Sequence, residues 1–254
     1  MSKTRLDQLL VARGLAPTRA RAQALILAGD VYLAGVRVDK AGHLVALDAD
    51  VECRAAQRPY VSRGGAKLAG ALDAFAFDAG GSRCLDLGAS TGGFTDCLLQ
   101  RGAALVIAVD VGYGQLAHKL RVDPRVVVME RTNARTLAPD VIGGAVDLTV
   151  VDASFISLAK LMPAVARCTR AGGDLVALVK PQFEAGREQA ARGRGVIRDE
   201  SIRAEAVDSA AAAVAAAGFE VLQRADSVLP GPKGNREVFL LAHRSMHPRE
   251  GSRG

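Results

Sequence analysis

A glycine-rich turn between a predicted strand and a predicted helix is the feature of the sequence that most clearly indicates chemistry. It reads GASTGGFT, begins at Gly88, and follows the acidic residue Asp86. A phosphate-binding P-loop would require a lysine in this turn, and a dinucleotide fingerprint would require GxGxxG; neither is present. An aspartate beside the turn suits a cationic ligand better than a pyrophosphate. The turn therefore predicts S-adenosylmethionine, which carries a sulfonium and an ammonium group, as the cofactor.

Polar residues also follow the next two predicted strands. Asp110 comes directly after the apolar run LVIAV, where a carboxylate can accept hydrogen bonds from ribose hydroxyls in S-adenosylmethionine and nicotinamide enzymes alike. Asn133 is placed to reach an adenine edge, although a loop asparagine bonded to its own backbone is the simpler interpretation of that residue alone. The predicted cofactor-binding residues are Asp86, Gly88, Ser90, Gly92, Gly93, Phe94, Asp110, Asn133 and Asp152.

Four further charged residues stand at predicted strand ends or at the start of segments. They are Lys67, Asp152, Lys180 and Glu237. Burying a charge is costly, so residues at such positions face either solvent or a functional cleft. Any one of them taken alone is as well explained by solvent exposure. Four of them, predicted at one edge of a sheet, favour a shared cleft.

Alternating apolar and helical patterns predict the architecture that would bring these residues together. Strands are expected at residues 84–87, 105–109, 126–129, 148–151, 175–179, 221–225 and 238–242. Helices are expected at residues 66–75, 95–101, 158–169 and 202–217, with Gly64 and Gly65 in a turn before the first of them. This alternation predicts an α/β fold with a doubly wound, mostly parallel Rossmann-like sheet, whose strand ends converge on one crevice.

The first 59 residues predict a smaller α+β unit with a basic surface. Leucines at helical spacing from residue 4 predict one helix, and Thr18 and Gly29 are placed to begin and end a second. The run DVYLAGVRVD predicts a hairpin around Ala34 and Gly35. The formal net charge of +6 favours a polyanionic partner. A solvated basic face is the simpler interpretation of the same charges.

Composition narrows the class of protein. A chain of 254 residues with 49% hydrophobic residues can form one ordinary α/β domain and a small companion. No apolar run is long enough to cross a bilayer, and the start MSKTRLDQLL lacks the apolar core of a signal peptide, so we expect a cytoplasmic protein. The four cysteines form no CxxC pair and the four histidines show no metal-ligand spacing, so we expect free thiols and no metal.

Five motifs give the sequence a family likeness. YVSRGGAKL, LDLGASTGGFTD, VVDASFISL, VKPQFE and GPKGNREVF occur in this order and resemble the TlyA (hemolysin A) family. TRARAQALILAGDVYLAGVRVD resembles the S4-type RNA-binding domain that begins proteins of this family. The resemblance implies an S4-type domain at residues 1–59 and an FtsJ-like methyltransferase domain at residues 60–244, and we expect residues 245–254 to be a disordered tail.

The resemblance also implies a reaction and a set of residues. Proteins of this family use a Lys-Asp-Lys-Glu tetrad for 2′-O-methylation of ribosomal RNA, with cytidine as the suggested target, and the motifs place this tetrad at Lys67, Asp152, Lys180 and Glu237. RNA contacts are expected from Arg5, Arg19, Arg21 and Arg63. Lys180 is the best candidate for the general base. An ordinary lysine has a pKa of about 10.4, so the charges around it would have to favour the neutral amine.

Three other functional classes compete with this interpretation. A nicotinamide-dependent dehydrogenase would explain Asp110, but it would explain neither the absence of GxGxxG nor the two strand-end lysines. A non-catalytic RNA-binding or ribosome-assembly protein is opposed by the intact acids and tetrad. A pore-forming haemolysin is opposed by the lack of a signal peptide, a membrane span or a long amphipathic charged helix. We therefore expect ribosomal RNA or ribosomal subunits as partners, and the sequence leaves the oligomeric state open.

Overall fold

Two helices and five short strands form the first folded unit of the chain. A computed structural model of the protein describes residues 3–54, 59–186 and 195–246, so most of the tail expected at residues 245–254 lies outside the described residues. The elements of this unit are β1 (Lys3–Arg5), α1 (Leu6–Ala12), α2 (Arg19–Leu27), β2 (Val31–Leu33), β3 (Val36–Arg37), β4 (Leu44–Ala46) and β5 (Val51–Cys53). Strand β1 pairs with β4, whereas β2 pairs with both β3 and β5. Leu6, Leu10 and Ile26 lie at the centre of its small core.

The local helix signals of this unit are found in the structure, with one difference. The side chain of Thr18 accepts a hydrogen bond from the backbone N–H of Arg21 and so caps α2. Gly29 follows α2 at a φ of +74°. The first helix, expected from residue 4, begins instead at Leu6, because residues 3–5 pair with residues 44–46 as a strand. Leucine spacing indicates a helix but carries no information about that distant partner.

A seven-stranded sheet forms the second unit. Its strands are β6 (Arg83–Leu87), β7 (Leu105–Val109), β8 (Val126–Met129), β9 (Val146–Val151), β10 (Thr169–Val179), β11 (Phe219–Asp226) and β12 (Val238–Arg244). Their order across the sheet is β11-β12-β10-β9-β6-β7-β8. Strand β12 is antiparallel to both of its neighbours, and the other pairings are parallel. The prediction of a mostly parallel, doubly wound sheet is confirmed.

Helices cover both faces of this sheet. They are α3 (Arg63–Ala74), α4 (Gly93–Gln100), α5 (His118–Arg121), α6 (Met162–Cys168), α7 (Pro181–Glu184) and α8 (Glu200–Ala216). Leu68 of α3 and Leu98 of α4 belong to the core on one face, whereas Val165 of α6 and Val214 of α8 belong to the core on the other. Within the described ranges, no helix has the length and apolar character that a membrane span requires.

Two details of the predicted helices are wrong. Gly64 and Gly65 lie inside α3 and not in a turn before it; a Cβ on Gly65 would come within 2.8 Å of the backbone oxygen of Gly93, so the glycine allows close packing with α4. The helix expected at residues 158–169 is divided into a short 3₁₀ segment, Leu158–Lys160, and α6. Pro163 in the first turn of α6 lacks a backbone N–H, which suits a helix start and not a helix interior.

The chain reverses direction across the sheet between β6 and β9. From β6 it runs through β7 to β8 at one edge, and it then returns to place β9 on the other side of β6. Ligands of open α/β sheets bind at such a switch point, beyond the carboxyl ends of the strands. The residues that follow β6 and β9 are therefore the ones to inspect for a site.

Candidate functional site

A cavity of about 600 Å³ opens at this switch point. Its lining includes the turn after β6, the residues after β9 and β10, the first turns of α3 and the loop before β12. All four charged residues of the predicted tetrad line it: Lys67, Asp152, Lys180 and Glu237. Residues of the first unit also contribute to the wall, among them Arg37 and Lys40. One cavity thus brings together residues that are far apart in the sequence, from Leu27 at the end of α2 to Glu237 just before β12.

Two glycines of the turn adopt a left-handed conformation, and one of them, Gly88, also lies against neighbouring backbone. Gly88 adopts a φ of +89°, and a Cβ there would lie 2.7 Å from the backbone oxygen of Asp152. Gly92 precedes α4 in the left-handed conformation, with a φ of +92°. The turn therefore presents bare backbone to the cavity, which Ser90 and Phe94 also line. Phe94 is anchored by packing against Phe239, with ring centroids 6.0 Å apart.

Asp86 lies beneath the turn, fully buried. Its Oδ2 atom accepts hydrogen bonds from the backbone N–H of Thr95 at 3.0 Å and from the Thr95 hydroxyl at 2.7 Å. Its Oδ1 atom has no hydrogen-bond partner within the described part of the chain. Burial raises the pKa of this carboxyl to about 7, and the negative charges of Asp152 and Asp110 act in the same direction. A buried carboxyl with one free oxygen beside the turn fits a cationic ligand such as S-adenosylmethionine.

The side chains of Asp110 and Asn133 both accept hydrogen bonds from backbone N–H groups. Asp110 accepts from the backbone N–H of Ser90 at 2.9 Å and of Gly112 at 2.6 Å, and so ties the turn after β6 to the end of β7. Asn133 is exposed and accepts from the backbone N–H of Arg135 at 3.1 Å, which is the local hydrogen bond of a loop asparagine. Neither residue is among those that line the cavity. Their contacts with ribose and adenine stay predictions.

The four charged residues of the tetrad form two ion pairs. Lys67 of α3 pairs with Glu237, although 170 residues separate them in the sequence. Lys67 is 7% exposed and Glu237 is 1% exposed. The Nζ atom of Lys180 lies 2.6 Å from Asp152 Oδ1 and donates a hydrogen bond of 2.8 Å to Ser154 Oγ. Each lysine of the tetrad therefore has a carboxylate partner, and Lys180 has a hydroxyl partner as well.

The structure adds residues to the site that the sequence did not single out. Ser154 belongs to the same VVDASF motif as Asp152, which is the signal that would have indicated it. Phe155 is 91% exposed at a φ of +66°, and its ring centroid lies 5.2 Å from that of Phe183. Both rings line the cavity. An apolar side chain held in a strained, solvent-facing conformation is a feature of binding sites, and motif spacing alone does not reveal it.

The arginines expected to bind RNA lie in three places. Arg5 and Arg19 share the buried carboxylate of Asp7, with N–O distances of 3.1 and 2.9 Å. Arg21 lines a second cavity, of about 460 Å³, between α2 and residues 114–119. Arg63 lines the first cavity and donates to the backbone oxygen of Pro230 at 3.4 Å. The four arginines therefore make different local contacts, and their binding of RNA stays a prediction.

Cys84 and Cys97 of the second unit are buried thiols. Burial raises the pKa of Cys84 to about 12 and that of Cys97 to about 11, so both thiols are protonated at neutral pH. Among the described residues, no group of three histidine, cysteine or acidic side chains is arranged to hold a metal ion.

Comparisons with known proteins identify related families, sequences and a related structure. The sequence model of the FtsJ-like methyltransferase family matches residues 60–244, and that of the S4 domain matches residues 4–51. The "16S/23S rRNA (cytidine-2′-O)-methyltransferase TlyA" of Mycobacterium tuberculosis is 52% identical over 239 residues, which is 94% of this chain and 89% of that protein. "Hemolysin A" of Brachyspira hyodysenteriae is 40% identical over 94% of this chain and 98% of that protein. A solved structure, "Putative hemolysin from Streptococcus thermophilus", is 41% identical, with a TM-score of 0.75 and coverage of 99% of this chain and 92% of that one.

Proposed function

Because the chain belongs to the TlyA (hemolysin A) family of FtsJ-like methyltransferases with an S4 domain, we propose that it methylates the 2′-hydroxyl of a ribose in ribosomal RNA. The observation that carries the proposal is the meeting of two lysine–carboxylate pairs with a glycine-rich turn in one cavity. The relative from Mycobacterium tuberculosis is named for cytidine methylation of 16S and 23S rRNA, which favours cytidine as the target nucleotide. Ribosomal RNA as the substrate implies that the protein works in the cytoplasm.

We propose that S-adenosylmethionine binds along the turn after β6. Backbone groups of the turn residues that line the cavity, Gly88 to Thr91 with Gly93 and Phe94, would hold it. Asp86 does not line the cavity; it is buried beneath the turn, and its unbonded Oδ1 would act on the positive charge of the cofactor from there. Asp110 and Asn133 would contact the ribose and the adenine. When bound, the cofactor supplies an activated methyl group to an approaching oxygen. The chain has only to bind the hydroxyl in line and take its proton.

Lys180 is proposed to release its own proton to solvent and then, as a neutral amine, to take the hydroxyl proton while the oxygen bonds the methyl group. Asp152 and Ser154 fix the direction of its amine, and Pro181 keeps Lys180 extended at the end of β10. The Lys67–Glu237 pair lines the same cavity and is proposed to hold the ribose in place. Much of the rate of a reaction between two bound substrates comes from such positioning.

The mouth of the cavity offers a surface for a nucleotide taken out of its stack. Phe155 and Phe183 present an apolar face that suits an unstacked base. Arg37 and Lys40, from the first unit, bring positive charge to the same wall. This arrangement favours a substrate that contacts both units at once, as structured RNA does.

The test uses three separate reactions, each with the protein and labelled S-adenosylmethionine. The substrate is the small ribosomal subunit in the first, the large subunit in the second and protein-free ribosomal RNA in the third. We expect one methyl group on one ribose, detected as a phosphodiester that resists alkali and mapped to a cytidine. A methyl group on a base would contradict the proposed reaction class. If the folded protein binds the cofactor but labels none of the three, the proposal that ribosomal RNA is the substrate is contradicted.

A further inference from the structure

One wall of the cavity is built from two segments that are far apart in the sequence. The first is the stretch of residues 195–197 just before α8, and the second is the loop of residues 227–237 that leads into β12. Gly195 and Asn235 each line the cavity, one from each segment. Asn235 is 2% exposed, so its amide group is withdrawn from water and needs partners within the protein.

The amide of Asn235 joins these two segments by a pair of hydrogen bonds. Its Oδ1 atom accepts from the backbone N–H of Ile197 at 2.9 Å, and its Nδ2 atom donates to the backbone oxygen of Gly195 at 2.8 Å. Only a side chain with a donor and an acceptor side by side can make both bonds, which excludes an ionised aspartate and an alanine. Because both polar atoms bond to backbone, Asn235 serves to hold protein segments together.

The same loop packs directly on the Lys67–Glu237 pair. The backbone oxygen of Asn235 accepts from the N–H of Gly231 at 2.9 Å, and a Cβ on Gly231 would lie 2.5 Å from Glu237 Oε1. That oxygen is buried and has no hydrogen-bond partner among the described residues. On this side, therefore, Glu237 packs against the Gly231 turn, the turn is bonded to the backbone of Asn235, and the side chain of Asn235 anchors that backbone to residues 195–197.

We infer that Asn235 is a positioning residue that holds the Lys67–Glu237 pair in place at the cavity by clamping residues 195–197 to the loop before β12. Its effect on the reaction rests on the proposed function. Its effect on the pair rests on the contacts alone, so the two can be tested separately.

The first experiment needs no methyl transfer. The full-length protein is treated briefly with acetic anhydride, and acetylation of Lys67 is measured by mass spectrometry relative to the exposed Lys160. We expect Asn235→Ala to raise the acetylation rate of Lys67 severalfold, because a released Glu237 no longer shields it. Ser227→Ala is the matched control, since its hydroxyl bonds within the same loop to Leu229 and does not reach residues 195–197. Unchanged acetylation of Lys67 in folded Asn235→Ala would overturn the inference.

The second experiment measures single-turnover methyl transfer to ribosomal RNA. Asn235→Ala should lower the rate on the order of 10- to 100-fold, the scale of a misplaced positioning contact, with the affinity for S-adenosylmethionine unchanged. Asn235→Asp should also be impaired at pH 8, because an ionised carboxylate can accept from Ile197 but cannot donate to Gly195.

The outcomes of the two experiments separate the two proposals. Equal transfer rates in wild type and in both Asn235 variants would overturn the positioning role. A wild-type protein that methylates no ribosomal RNA, together with raised Lys67 acetylation in Asn235→Ala, would contradict the proposed function and support the clamp. Equal losses in Asn235→Ala and Ser227→Ala would show a general effect of the loop and overturn the inference.

Discussion

At the scale of single residues, the cavity contains charges in unequal environments. The Lys67–Glu237 pair is almost fully buried, whereas the side chains of Lys180 and Asp152 keep 11% and 24% of their exposure. A buried ion pair contributes little to stability, because desolvation offsets the attraction between the charges. Its presence in the wall of a cavity is therefore better explained by function. The more accessible pair is the one that can exchange a proton with a substrate.

Asp86 makes stability depend on pH in a way that can be measured. Its pKa is raised from 3.8 to about 7, so between these values the folded protein keeps a proton that the unfolded chain has lost. The free energy of unfolding should thus fall as pH rises from about 4 to about 7, by on the order of 4 kcal/mol, and then level off. Asp86→Asn should lack this fall. Urea unfolding without cofactor at pH 5, 6, 7 and 8 checks the prediction, and parallel curves for the two proteins would contradict it.

At the scale of elements, the sequence predicts what depends on local pattern and misses what depends on distant partners. All seven strands of the large sheet and the cap at Thr18 follow from apolar runs and from one side chain near its own helix. The place of Gly65 inside α3 was not predicted, because this glycine makes room for the backbone oxygen of Gly93, which is distant in the sequence. Ser154 and Asn235 were missed for the same reason, since their partners lie tens of residues away. The motifs predicted the four residues of the tetrad. Which lysine pairs with which carboxylate is visible only in the structure.

The turn after β6 supplies a prediction at this scale. Gly88→Ala should lose cofactor affinity and stability, because the new methyl group meets both a positive φ and the backbone oxygen of Asp152. The conformational part alone costs about 1–3 kcal/mol. Gly218→Ala is a matched control, with a φ of +88° and open space around the new methyl group. Calorimetric titration with S-adenosylmethionine and thermal unfolding should show that Gly88→Ala loses more cofactor affinity and more stability than Gly218→Ala. Equal losses in the two variants would mean that the close approach to the backbone of Asp152 has no effect.

At the scale of the whole molecule, both units contribute to one functional surface. Arg37 and Lys40 from the first unit line the cavity that holds the tetrad, and Arg21 lines a second cavity against residues 114–119 of the second unit. RNA bound by the first unit would therefore lie close to the proposed reacting groups. Because the wall of the cavity is shared, sequence patterns within one unit could not predict which residues of the other unit complete the site.

Neutralising two arginines of the first unit tests this surface. Arg19→Gln with Arg21→Gln should weaken RNA binding and reduce the slope of log affinity against log salt by about 1.5, because two phosphate contacts no longer release counterions. Arg5 still pairs with Asp7 in this variant, so the buried carboxylate keeps a cation. Arg170→Gln with Arg224→Gln removes the same charge from exposed ion pairs on the large sheet and should leave the slope nearly unchanged. Identical slopes for the two double variants would mean that Arg19 and Arg21 are only solvated surface.

The central claim is that Lys180 takes the proton from a ribose hydroxyl, and single-turnover methyl transfer by Lys180→Ala tests it most directly. Cofactor and RNA should still bind, while the rate falls by about 10²–10⁴-fold, the usual contribution of a positioned base. Lys180→Arg should restore little, since a guanidinium does not deprotonate at working pH. Lys160→Ala, at an exposed lysine outside the cavity lining, should transfer methyl groups like wild type. A rate for Lys180→Ala close to that of wild type would contradict the claim.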